Sequence, residues 1–142
     1  MLLLTMWLTG AAMAHPNHGD ERLYAPAVPP PQPEVVVPEG FAEVVADLLT
    51  RSDDAEKALE AKRIADLYTA CDAMTLLAKG LPERAKAVSE ERAAEASAAA
   101  PALEKAVAEM RKLATKGSFS EAGEALGAFR TALSPLEPPQ SE

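Results

Sequence analysis

His15 and His18 are the only histidines of the 142-residue chain, and both lie in the stretch AMAHPNHGDE. Imidazole nitrogens suit copper, nickel and zinc, and two at this spacing can share one ion. Ala12-Met13-Ala14, just upstream, places small residues where a signal peptidase expects them, so cleavage would leave His15 as the new N-terminus. Its free amine and imidazole would then chelate a metal, with His18 adding a second imidazole. Asp20 and Glu21 offer oxygen ligands as supplements. The donor set differs from the amino-terminal copper and nickel motif, which needs histidine at the third position. Pro16 also withholds a backbone amide that could otherwise deprotonate and coordinate.

Other groups of this kind have simpler readings. Cys71 and Met74 lie one helical turn apart, and Met110 could face them, a soft sulfur set suited to Cu(I). All three fall on apolar helical stripes, where Cys and Met pack as ordinary core residues, and that reading is preferred. The acidic pairs Asp53-Asp54 and Glu90-Glu91 are sequence neighbours, which on a helix point about 100° apart and cannot grip one substrate. They read as solvated faces or as complements to a helix N-terminus. No serine has a base available, and the chain contains no phosphate-binding glycine loop and no HExxH. The expectation is a protein that is not an enzyme.

The bulk composition narrows the partners. A net charge of -8 disfavours nucleic acid and anionic membrane surfaces, and 4% aromatic residues leave no stacking platform. The single cysteine excludes an intramolecular disulfide and any multi-cysteine metal or haem-attachment motif.

Residues 1–14 read as a signal peptide, with the apolar run MLLLTMWLTGAA too short to span a bilayer, although no Lys or Arg precedes it. The expected product is periplasmic or secreted, with no stable membrane anchor after cleavage. Residues 15–38 read as a disordered segment carrying the histidines and then the proline-rich APAVPPPQPEVVVP, which favours extended polyproline conformations. Residues 39–134 are helical in pattern throughout, and 135–142 form a disordered tail.

Four helices are expected. Phe41, Val44, Val45, Leu48 and Leu49 make a short first one after Pro38. A second starts near Ser52-Asp53, with Glu56 completing a capping-box pattern, and runs through Ile64, Leu67, Cys71, Met74 and Ala78 to a C-cap at Gly80. The third spans 82–115, opens at Pro82 and is kinked or broken near Ala100 by Pro101. Gly117 ends it, and Ser118 and Glu121 cap the last, which carries Phe119, Ala122, Leu126, Phe129 and Leu133. Period-two alternation is nowhere sustained, so the fold class is all-α, an up-down antiparallel four-helix bundle. Its alanine-rich faces could pair two copies into a homodimer.

The helix order and the segment ATKGSFSEAGEALGAFRTAL, with its G-x-x-x-E-A opening, resemble the soluble b-type cytochrome four-helix bundles over residues 40–134. That family holds haem between a Met near the first helix and a His in the last. The chain has no histidine after His18, so haem is not carried over. The segment LYTACDAMTLLAKGLPERAK is similar to the LAKGLPEK segment of small exported helical proteins of unassigned activity, which often begin with an HGDE-like mature terminus. This resemblance implies a setting near heavy-metal efflux. Two readings follow: an exported accessory protein binding metal through His15 and His18, or a metal-free scaffold or chaperone-like factor acting on a periplasmic protein partner.

Overall fold

The computed structural model describes residues 34–139, so His15, His18 and the proposed cleavage site lie outside the described residues. The described chain forms four helices: α1 (Phe41–Glu60), α2 (Ile64–Lys86), α3 (Glu90–Thr115) and α4 (Phe119–Leu133), followed by a 3-10 turn, Ser134–Leu136. Consecutive helices pack on one another through short connections and α1 closes against α4, which makes an up-down four-helix bundle. No strand occurs among the described residues.

Apolar residues at three- and four-residue spacing put one face of every helix into a single core. Val44 and Leu48 of α1, Leu67, Met74 and Leu77 of α2, Leu103 and Met110 of α3, and Phe129 and Leu133 of α4 are almost wholly enclosed. Between them lie many alanines, including Ala55, Ala78, Ala96 and Ala122, so the backbones can approach closely. Leu136 of the 3-10 turn is also buried, and it carries the core one step beyond α4.

The helix boundaries depart from the sequence expectation at three places, each for a packing reason. Ser52-Asp53 lies inside α1, which continues for 20 residues because Ser52, Ala55, Ala58 and Leu59 continue its buried face. Gly80 lies inside α2. An added Cβ would stand 2.9 Å from Cγ1 of Val37, so this glycine is a notch for the extended segment that precedes α1 and not a C-cap. Arg84 Nε secures the same segment by donating to the carbonyl oxygen of Pro38 at 2.7 Å. Pro82 and Pro101 both sit inside helices. At Pro101 the residue and Ser97, whose carbonyl loses its i+4 donor, are exposed, while Ala96, Ala100 and Leu103 on either side are buried. Water can satisfy the freed carbonyl, and packing carries α3 through 26 residues.

The connection from α2 to α3 is closed by Ser89, whose hydroxyl accepts from the amide of Arg92 at 3.1 Å. Arg92 pairs with Glu95 and reaches the carbonyl of Pro135, tying the C-terminal turn to α3. The two remaining connections share one geometry. In the first, Lys62 N–H donates to Leu59 O and Arg63 N–H to Ala58 O. In the second, Gly117 N–H donates to Ala114 O and Ser118 N–H to Leu113 O. Both are Schellman closures with the middle residue in the left-handed region, at φ 55° for Lys62 and 81° for Gly117. The helix end at Gly117 matches the expectation. Ser118 stands at the start of α4, but its side chain makes no capping hydrogen bond. The Lys62 ammonium lies 5.8 Å from the centre of the Phe119 ring, so the two closures adjoin at one end of the bundle.

Candidate functional site

The residues singled out for soft-metal chemistry are packing residues. Cys71, Met74 and Met110 are at most 1% exposed and belong to the common core. Burial, ahead of the opposing pulls of Arg111 and Asp72, pushes the Cys71 thiol up to about 11, so the thiolate that a metal requires is disfavoured. Among the described residues, no three His, Cys, Asp or Glu side chains are grouped to hold a metal ion. No helix among them is long and apolar enough to cross a membrane.

The polar cluster with the most partners centres on Arg130 of α4. Its Nη2 donates to Asp53 Oδ1 at 2.8 Å and to Glu56 Oε2 at 3.1 Å, and its Nε donates to Ser52 Oγ at 3.3 Å. Ser52, the one buried polar residue among those described, donates its own hydroxyl hydrogen bond to the carbonyl of Leu49 at 2.7 Å. The hydrogen bond from Arg130, reinforced by its charge, holds the Glu56 carboxyl below its ordinary range, and Glu56 in turn raises Arg130. The serine, aspartate and glutamate spacing that resembles a capping box is therefore a receptor for an arginine from another helix. Asp54, pointing away, faces Arg51 at 3.9 Å, which agrees with the divergence expected of neighbouring carboxylates. Glu90 and Glu91 fall in the first turn of α3, where they complement the helix dipole.

A second clamp joins α2 to α3. Arg111 lies over the Tyr68 ring at 4.4 Å and donates to Asp72 at 2.6 Å, while Tyr68 OH donates to Thr115, whose hydroxyl bonds the Arg111 carbonyl. Both clamps pair cations and carboxylates one to one or one to two, which orients the helices. Beside the Arg130 clamp, the α1–α4 seam carries a shallow groove of about 350 Å³ with Leu59, Phe119 and Leu126 on its floor and Gly123 and Gly127 on its wall. Neither glycine would bring a Cβ within 4 Å of a neighbour, so the groove is open on that side.

Sequence reasoning read Asp53 and Glu56 as a capping box and missed Arg130, because its partners are more than seventy residues away. The signal available was that it is the one basic residue of α4. Comparison of the chain with family models, with curated proteins and with solved structures returned no match.

Proposed function

We propose that the protein is an exported, non-enzymatic helical bundle that binds a transition metal, copper, nickel or zinc, through His15 and His18 at its processed N-terminus, as an accessory to heavy-metal efflux. The observation that carries this reading is the placement of both histidines of the chain immediately after Ala12-Met13-Ala14. A free amine and two imidazoles are strong donors for these ions. Enclosure of Cys71, Met74 and Met110 in the core supports the reading, since it leaves the imidazoles as the borderline-soft donors able to meet a metal in solution. The bundle is then a compact carrier, with the chain entering it at the Pro38–Arg84 hydrogen bond.

The test is intact mass of the exported protein followed by titration of that form with Cu(II), Ni(II) and Zn(II). A mass beginning at His15, with one-to-one binding that survives a weak competing chelator and is lost in His18→Ala, is the expected result. A different terminus, or binding abolished by the competitor, overturns the reading and leaves a scaffold acting through protein contacts.

A further inference from the structure

The α3–α4 seam carries a groove of a different kind from the other surface depressions. Ala102 and, deeper, the buried Ala106 line one wall and Ala128 and Ala132, with the buried Ala125 beneath, the other, over about 310 Å³. Lys105 and Glu109 are the residues with polar side chains that line it, which leaves little to orient a small polar ligand. What such a surface admits is another helix, because methyl-sized side chains let two backbones come to the short end of the ordinary helix-packing distance.

Lys105 and Glu109 identify which helix. They are exposed, lie one helical turn apart along α3, and take no part in the ion pairs formed among the described residues. Opposite charges at this spacing are self-complementary under one operation. A two-fold axis perpendicular to α3, passing midway between them, sets Lys105 of one copy against Glu109 of the other and repeats the pair on the far side. A parallel, head-to-head arrangement would instead oppose like charges. The same antiparallel rotation lays the alanine wall of α3 from each copy over the groove of the other. Since the chain carries a net charge of -8, two copies repel at long range, and a face on which both signs can be matched is where they can meet.

We infer that the α3–α4 face is a homodimer interface in which two chains pack antiparallel about a two-fold axis, with reciprocal Lys105–Glu109 pairs fixing the register. The groove is thereby occupied by α3 of a second copy, and each copy contributes one lysine and one glutamate to the pairing. None of the residues that build this interface is among those proposed to bind metal, so association is expected without metal.

Sedimentation equilibrium of the full chain, run with a metal chelator so that association is read separately from metal binding, tests this directly. The wild type is expected at twice the chain mass at the upper end of a concentration series. Lys105→Glu alone and Glu109→Lys alone each oppose like charges twice per dimer and are expected to weaken association by about tenfold or more. Mixing those two variants restores complementarity, because one copy then carries two acids and the other two lysines, and a heterodimer should form. The double variant K105E/E109K should again pair with itself. A wild type that stays at single-chain mass, single variants that associate as tightly as the wild type, or a mixture that fails to pair would each overturn the inference. Both positions are exposed on a helix, and unchanged circular dichroism of the variants confirms that association alone is read.

Discussion

The two Schellman closures at one end of the bundle solve the same problem with different residues. Each turns a helix back on itself with a middle residue in the left-handed region and the same pair of hydrogen bonds, yet one uses Lys62 and the other Gly117. A residue with a Cβ is disfavoured in that region by roughly 1 kcal/mol or more, whereas glycine is not. The lysine is retained there with its ammonium over Phe119, across the junction between the closures. The lesson is that the bundle imposes the turn, and glycine only lowers its energy. A parallel contrast runs through the long helices, where Pro82 and Pro101 occupy interior positions without ending either helix.

The contrast can be tested in descending order of effect. Pro101→Ala restores the missing amide opposite the Ser97 carbonyl on an exposed face, and it should stabilise the fold by up to about 3 kcal/mol in urea denaturation. Unchanged stability would mean that α3 is tuned to its proline. Gly117→Val meets no neighbour within 4 Å, so its expected loss of about 2 kcal/mol would come from the backbone alone. Lys62→Gly relieves the same conformation in the first closure and should raise stability by about 0.5 kcal/mol after the loss of the Phe119 contact. If Lys62→Gly destabilised the protein, the cation over the ring would outweigh the backbone term.

The last and smallest effect concerns the clamp that joins the two halves away from these turns. Glu56 is held below its ordinary range in the folded bundle, chiefly by the hydrogen bond from Arg130. Its contribution is therefore present above the unfolded-state range and is lost as pH falls through the folded value. Glu56→Gln should lower stability slightly at neutral pH and leave it unchanged in strong acid, which flattens the acid limb read by thermal unfolding across the carboxylate range, the effect being small because the pair is exposed.

Much of this architecture was legible in the sequence where local and global signals agree. The apolar spacing of Leu103, Met110, Phe129 and Leu133 marked helical faces, and Gly117 marked a turn, because the same residues satisfy both the helix and the core. The misreadings share a cause. Ser52, Asp53 and Glu56 form the pattern of a helix start, but their partner is Arg130 of α4, and no local rule reveals a contact made only after the bundle closes. Gly80 and Pro82 form the pattern of a helix end, yet the glycine makes room for Val37, while Leu81 and Ala85 remain buried and hold α2 together. The closure at Lys62 escaped notice for the opposite reason, since a lysine in a left-handed turn leaves no compositional mark. The proposed histidine site rests on type and spacing alone, whereas the α3–α4 face required knowing which helices the fold brings side by side.

The notch at Gly80 also has a mechanical meaning. Gly40, the residue before α1, supplies no side-chain cap, so the first turn of α1 is the natural place for the bundle to fray. Because Val37 is seated on α2 and the carbonyl of Pro38 is held by Arg84, tension applied through the preceding chain reaches α2 before it reaches that turn. The chain is thus moored to one helix upstream of the place where it starts to wind into another, and a pull on the N-terminal segment must strip this fastening before it can unzip α1.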